Sequence, residues 1–311
     1  MTSARHGGSF PDRVLVSGAS GYIGRHVASA FANRGTEVHA LVRVASRLEP
    51  LLELAPETWI HRCDDSMGAL PAIVRDSRPQ LIVHLAARMS AGPMSGEVAD
   101  LVRSNILLGA HLLEAQHQVG GGGFIHTGTF WQHAGDHGYS PVNLYAATKQ
   151  AFETILEYYA SVGRIRALTL VLYDVYGPAD PRGRLISQLH DAVRTGERLA
   201  LSPGRQQLEM VHVADVAAAY VRAAELIEED PRFGDCRRFG VTSSAPRSLR
   251  DVVATYARVA GRKPAVQWGG RPYREREVMK PRRFRRLPGW APAVPLEEGL
   301  RMVLTSDGLL G

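Results

Sequence analysis

Short apolar runs recur through the first half of the chain, and longer stretches separate them in which apolar residues return every three or four positions. The runs are RVLVSG (13–18), EVHALVR (37–43), TWIHRC (58–63), QLIVHLAA (80–87), GFIHTGT (123–129) and RALTLVLY (166–173). Most are apolar nearly throughout rather than alternating, the pattern of a strand buried on both faces. The stretches between them, among them 22–34, 97–118 and 144–162, carry helical periodicity. Strands of this kind interleaved with helices predict an α/β fold, a doubly wound parallel sheet with helices on both sides. The GGGG tract at 120–123 predicts the stop of the 97–118 helix.

After YGPADPRGR (176–184) the strict alternation ends. Helices are expected at about 184–195, 213–229 and 248–260, joined by loops containing Pro and Gly. The pattern divides the chain into a first domain over 12–177 and a smaller second lobe over 178–311. Segments around 209–243 are expected to return to the first domain.

Composition narrows the classes. The 311 residues are 45% hydrophobic and 22% charged, ordinary globular values. No apolar run is long enough to span a bilayer, and MTSARHGGSFPDR at the start reads as a flexible lead-in without the apolar segment of a secretory signal. Cys63 and Cys236 are far apart and lack a CxxC companion, so neither a disulfide framework nor a structural zinc site is expected, and a cytoplasmic setting fits. The twelve histidines show no HExxH spacing, and no metal is expected. A net charge of +6 is concentrated in the arginine-rich run RPYREREVMKPRRFRR (271–286). No stacking motif accompanies it, so an anionic small molecule or a solvated face is preferred over nucleic acid.

VLVSGASGYIG (14–24) brings chemistry into the picture. Gly18, Gly21 and Gly24 follow a strand and open a helix whose apolar face includes Ile23, Val27 and Phe31. Glycine at such a junction permits a tight turn, close approach of backbone to a pyrophosphate, and close helix-to-strand packing, as in a Rossmann dinucleotide site. The phosphate then sits at the positive end of the helix. Proteins that prefer NAD place an acid at the end of the second strand to hold the ribose 2′-hydroxyl; here VHALVRVASR offers Val42 and Arg43 and no acid. An arginine pairs with a 2′-phosphate, so the expected cofactor is NADPH/NADP.

In YAATK, Tyr145 and Lys149 stand at i and i+4, on one face of a helix. A phenol is a poor proton donor or base near neutral pH, and a neighbouring ammonium lowers its pKa into a more useful range. The preceding IHTGTFWQH supplies Thr127 and Thr129, either of which could hydrogen-bond a substrate oxygen or serve as a strand-end turn residue.

Taken together, GASGYIG, VHLAA (83–87), Asn105 in NILLGAHLLE, YAATK, VLYDVYGP (171–178) and VHVADVA (211–217) resemble the extended short-chain dehydrogenase/reductases that act on nucleotide sugars, the NAD-dependent epimerase/dehydratase group. The resemblance covers almost the whole chain. It implies a cofactor loop of Gly18, Gly21, Tyr22, Ile23 and Gly24, with Asp64 at the adenine. Leu85, Ala86 and Ala87 would pass beside the pyrophosphate and ribose, Asn105 would order active-site backbone and water, and Tyr173 would lie near the nicotinamide. Thr129, rather than Thr127, matches the position of the family's catalytic hydroxyl, completing a triad with Tyr145 and Lys149.

The family includes epimerases, dehydratases, decarboxylases and reductases. Its 4,6-dehydratases carry Asp-Glu after the catalytic threonine, where this chain has Phe130 and Trp131. Its epimerases retain NAD and generally show the acid that position 43 lacks. TGTFWQH, PVNLYAATKQAFE, RPYREREVM and LPGW are similar to the CDP-abequose synthase-like branch, which reduces C4 of nucleotide-linked 4-keto-6-deoxy sugars. On that likeness the partner is a nucleotide-diphosphate keto sugar. Phe130 and Trp131 would wall the deoxygenated face, and Arg182, Arg184, Arg205 and Arg271 would meet the diphosphate. Asp174, where many relatives have Asn, would touch substrate. Leu208 replaces an arginine common in the family, which leaves the grip on the nucleotide to be shared otherwise. A homodimer through the helices of 97–118 and 142–162 is implied. An epimerase with tightly bound NAD is the chief alternative; a dinucleotide-sensing protein and a reductase of sterol- or flavonoid-like alcohols are the others.

Overall fold

The computed structural model describes residues 10–89, 98–135, 138–229 and 237–308. Cys236, most of the N-terminal lead-in and the first residue of the expected 97–118 helix lie outside them. The elements run β1 Arg13–Ser17, α1 Tyr22–Ala32, β2 Glu37–Arg43, α2 Glu49–Leu52, β3 Trp59–Cys63, α3 Leu70–Ser77, β4 Leu81–His84, α4 Val98–Val102, α5 Leu108–Gln118, β5 Gly122–Thr129, α6 Leu144–Ser161 and β6 Ile165–Leu172. There follow β7 Asp174–Tyr176, α7 Leu185–Thr195, β8 Leu199–Leu201, β9 Gln207–Leu208, β10 Met210–His212, α8 Val213–Glu229, β11 Arg237–Val241, β12 Arg247–Ser248, α9 Leu249–Ala260, β13 Val266–Trp268 and α10 Leu296–Ser306.

The chain forms two compact units. One comprises Met1–Thr127, Thr148–Leu170 and Ala217–Phe239; the other Gly128–Ala147, Val171–Val216 and Gly240–Gly311. Residues 128–147 and 171–177, which the sequence pattern groups with the first half, thus fall in the second unit.

A seven-stranded sheet in the order β11-β6-β5-β4-β1-β2-β3 organises the first unit. The pairs β1–β2, β1–β4, β2–β3 and β4–β5 are parallel. This is the doubly wound Rossmann arrangement. The order reverses between β1 and β4, whose carboxyl ends open the crevice where such sheets take their ligands. The core on one side of the sheet gathers Leu15, Ile82, Leu112, Phe124, Phe152 and Leu156, all fully buried. All six strands expected from the apolar runs form. The 97–118 stretch differs: one turn of π-helix, Arg103–Leu107, interrupts it between α4 and α5.

The second unit has its own core, in which Leu189, Val252, Tyr256, Leu300 and Leu304 from α7, α9 and α10 are fully buried. Ser248 and Asp251 close a capping box that starts α9. Three small two-stranded ladders, β7–β10, β9–β12 and β8–β13, tie its loops together. Among the described residues no helix is long and apolar enough to cross a membrane.

Candidate functional site

The first unit contains a cavity of about 530 Å³ at the ends of β1, β2 and β4. Gly18, Gly21, Arg43, Asp64, Leu85, Ala86 and Ala87 line it, seven of the residues singled out in the sequence. The turn that floors it has a steric logic. Gly18 holds φ +75°, and a Cβ there would lie 2.7 Å from the backbone nitrogen of Ala86. At Gly24 a Cβ would lie 2.1 Å from the carbonyl oxygen of Gly18, so α1 starts hard against the strand it leaves. Gly21 is the N-cap of α1 and no side chain caps it, so the positive end of the helix dipole faces the turn without a side-chain cap. Tyr22, Ile23 and Gly24 support this turn from behind: Tyr22 is buried, its ring edge-on to His26 at 5.2 Å.

Arg43 ends β2 exposed at the cavity rim. Of the other cations there, Arg88 and Arg103 both pair with Asp100, at 3.1 and 3.3 Å. Arg43 makes no ion pair among the described residues. Asp64 is exposed, and its carboxylate accepts from the Ser66 amide (3.1 Å) and hydroxyl (2.6 Å), bonds that lower its pKa. Ser20 and Ser46 also line the cavity; sequence reading passes over them because a lone serine near a turn carries no distinctive spacing.

Asn105 lies behind this surface, fully buried in the π-helical turn. Its side chain accepts from the Arg88 amide at 2.7 Å and donates to the Arg88 carbonyl at 3.0 Å and to Thr148 Oγ1 at 2.9 Å. It thereby pins the loop after β4 to α6. The π turn is a usual device for aiming one side chain out of helical register.

Lys149 is 1% exposed, and its Nζ has no hydrogen-bond partner in the described structure. Burial pulls its pKa down to about 7, opposed by Glu153 one turn later. Thr127 is occupied structurally: its hydroxyl donates to the His84 carbonyl at 2.9 Å and lies 2.7 Å from Tyr220 Oη.

In the second unit Thr129 Oγ1 accepts from the Trp131 amide at 3.3 Å, and the Thr129 amide donates to Gln132 at 2.9 Å. Tyr145 meets the Trp131 ring edge-on, with centroids 6.3 Å apart. Burial raises the Tyr145 phenol to about 12, and the cation set against that rise is Arg184. Sequence reasoning credits Lys149 alone with tuning the phenol and has no means of seeing a cation nearly forty positions away. Tyr173 stacks on Phe130 (5.2 Å, 6° between planes) and donates to the Arg282 carbonyl at 2.6 Å.

A second cavity, about 720 Å³, lies within this unit and is lined in part by Phe130, Trp131, Asp174, Arg184, Arg271 and Arg274. Asp174 accepts from the Glu209 amide at 3.2 Å; burial lifts its pKa to about 6 despite Arg184 and Arg274. Arg271 is braced by donating its Nε–H to the Ala200 carbonyl at 2.6 Å. Arg182 and Arg205, read from the sequence as phosphate partners, do not line the cavity. Arg182 is engaged by Asp180 through two bonds of 2.7 and 2.6 Å, and Arg205 is exposed elsewhere. Arg274 takes a place that sequence reading misses, its guanidinium 4.8 Å from the Trp131 ring centroid. Much of the 271–286 run is structural: Arg283 pairs with the fully buried Glu209 at 2.7 Å, and Arg286 donates to the Ser243 carbonyl. No cluster of three or more His, Cys, Asp or Glu side chains suited to a metal occurs among the described residues.

Residues 14–235 match the model of the NAD dependent epimerase/dehydratase family. CDP-abequose synthase of Yersinia pseudotuberculosis is 25% identical over 86% of this chain and 91% of its own. UDP-glucose 4-epimerase of Mycolicibacterium smegmatis is 27% identical over 93% and 96%. Among solved structures, UDP-glucose 4-epimerase of Thermus thermophilus in complex with NAD aligns over 96% of this chain and 99% of its own. Its TM-score is 0.77 and its identity 27%.

Proposed function

The chain belongs to the NAD dependent epimerase/dehydratase family, and from that premise we propose that it is an NADPH-dependent reductase of the C4 keto group of a nucleotide-activated 4-keto-6-deoxy sugar, CDP- or dTDP-linked, in deoxysugar biosynthesis. The observation that carries the reading is Arg43, an exposed cation with no ion pair among the described residues, on the rim of the first unit's cavity where an NAD-preferring site has an acid. The likeness to CDP-abequose synthase points the same way.

The residues suit the cofactor. The cradle at Gly18 and Gly24 is one that any Cβ would fill, and Lys149 presents a buried nitrogen in want of a partner. Gly18, Gly21, Ala86 and Ala87 would hold the pyrophosphate and ribose, Asp64 the adenine, Arg43 the 2′-phosphate, and Lys149 the nicotinamide end. When bound, NADPH supplies the hydride for the carbonyl carbon. Tyr145 Oη supplies the proton to the carbonyl oxygen; a phenol raised to about 12 stays protonated at neutral pH, as a donor must. Thr129 orients that oxygen, and Asn105 fixes the loop on which the cofactor rests. Arg184, Arg271 and Arg274 meet the diphosphate, with Phe130 and Trp131 against the deoxygenated sugar face.

The alternative, a nucleotide-sugar epimerase that retains NAD, draws on the similar identity of UDP-glucose 4-epimerases. A cytoplasmic homodimer belongs to the same reading, with Val98, Val102, Leu107 and Tyr158 exposed along α4 to α6 as its contact surface. The test is to offer the purified protein NADPH or NADH with CDP- and dTDP-linked 4-keto-6-deoxy sugars and follow loss of reduced-nicotinamide absorbance. NADPH consumption with one substrate supports the reductase. No consumption, together with NAD released from the protein on denaturation, favours the epimerase.

A further inference from the structure

The segment after β2 brings more than Arg43 to the cofactor cavity, and a residue of the next strand holds it in place. The Ser46 amide donates to the Arg43 carbonyl at 3.0 Å, the bond that closes a four-residue β-turn with Val44 and Ala45 at its centre. Arg43 and Ser46 both line the first unit's cavity. Among the described residues Arg43 has no ion pair and the Ser46 hydroxyl no hydrogen bond. A guanidinium and a hydroxyl joined by one turn offer several donors to an anion with several acceptor oxygens.

Local sequence gives this turn little hold. RVAS (43–46) contains no Gly, Pro, Asn or Asp, the residues that preset most turns. Val44 is 59% exposed, so packing restrains the first central position only weakly. The hold comes from β3, which runs parallel to β2 with Arg62 opposite Val42 and Cys63 opposite Arg43. From there one guanidinium nitrogen of Arg62 reaches past the end of β2, donating to the Val44 carbonyl and, over 3.5 Å, to the Arg43 carbonyl. Arg62 makes no ion pair among the described residues, and both side-chain hydrogen bonds go to this turn. Bonds from a charged donor are stronger than those between neutral groups, so a single side chain suffices to fix the turn.

We propose that Arg62 is a positioning residue for cofactor selection: by clamping the turn it keeps Arg43 and the Ser46 hydroxyl together on the cavity wall, where both donate to the 2′-phosphate of the dinucleotide. The proposal rests on the NADPH reading above and adds to it a second phosphate donor, Ser46, and the brace behind both donors. Arg62 acts through the turn and does not itself meet the phosphate. A dinucleotide with a free 2′-hydroxyl offers these donors no charge, so loss of the brace weakens NADP binding and leaves NAD binding nearly unchanged.

Calorimetric titration of the ligand-free, full-length protein with NADP and with NAD isolates the 2′-phosphate, since the two differ by that group alone. Arg62→Met and Ser46→Ala should each weaken NADP binding by about fivefold or more, the loss of a hydrogen bond to a charged group. NAD affinity should stay within about twofold of parental, which also shows that the variants fold. In the Arg43→Met/Ser46→Ala background, Arg62→Met should bring no further loss of NADP affinity. A further loss there would mean that Arg62 meets the phosphate by its own charge, and would overturn the positioning role. Parental NADP affinity in Arg62→Met, with the preference for NADP lost in Arg43→Met, overturns this proposal and leaves the NADPH reading standing. A parent chain that binds NAD as tightly as NADP removes both.

Discussion

Alanine at Gly18 perturbs the cofactor cradle in a way that can be worked out in advance, and Gly35 provides a matched control. The two glycines have nearly the same backbone, φ +75° and +78°. Placing an L-residue in that left-handed region costs roughly 1–2 kcal/mol. The gain from a less flexible unfolded chain is common to both substitutions and cancels in their comparison. At Gly35 nothing lies within 4 Å of the new Cβ, so strain is the whole cost. At Gly18 the Cβ falls 2.7 and 2.8 Å from the nitrogen and Cα of Ala86. These are backbone atoms of the strand-end loop, which cannot rotate away, and such overpacking adds about 1–3 kcal/mol. Urea unfolding should therefore show Gly18→Ala less stable than Gly35→Ala by about 1–3 kcal/mol. Because relief of the clash displaces Ala86, calorimetric titration with NADP should show at least about tenfold weaker binding in Gly18→Ala alone, about 1.4 kcal/mol. Equal destabilisation of the two variants would refute the steric argument. Unaltered NADP binding by Gly18→Ala would refute the assignment of this turn to the dinucleotide.

Tyr145→Phe removes the proton donor and should lower turnover by about two orders of magnitude or more while leaving NADPH affinity close to parental; near-parental turnover would remove Tyr145 from the mechanism. Arg43→Asp inverts the charge at the end of β2 and should move the ratio of NADPH to NADH efficiency toward NADH, and an unchanged ratio would show that Arg43 does not meet the 2′-phosphate. Lys149, with a folded pKa lowered to about 7, favours the folded state in its neutral form. Stability of the ligand-free protein should therefore be least below about pH 7 and rise from there toward about pH 10, the ordinary range of lysine. The rise should be absent from urea unfolding of Lys149→Met, and a rise of the same size in that variant would contradict the sign.

What the sequence discloses follows from which interactions are local. Buried parallel strands announce themselves by apolar runs, so β1 to β6 are all legible. The turn at Gly18 to Gly24 is legible because the spacing of its glycines between a strand and a helix is a local pattern, although the close approach of Ala86 that Gly18 answers is not. α10 is not anticipated although Pro295, Glu297 and Glu298 mark its start; its apolar face, Leu296, Leu300 and Val303, gains meaning only from the core it joins. Arginines are the least legible class. Arg182 and Arg205 read like Arg184 and Arg271, and nothing local reveals that Asp180 engages the first or that Arg274 lies over Trp131. The tuning of Tyr145 by Arg184 escapes for the same reason, since the i+4 spacing directs attention to Lys149.

The central claim, net delivery of hydride to C4 of a nucleotide-linked keto sugar, is tested most directly with NADPH deuterated at the transferred position of its nicotinamide. After turnover with a CDP- or dTDP-linked 4-keto-6-deoxy sugar, the isolated product is analysed by NMR and mass spectrometry. The account predicts one deuterium per product molecule, on C4, with one equivalent of NADP formed. A sugar product without deuterium, or a C4 epimer formed with no net consumption of NADPH, would contradict it.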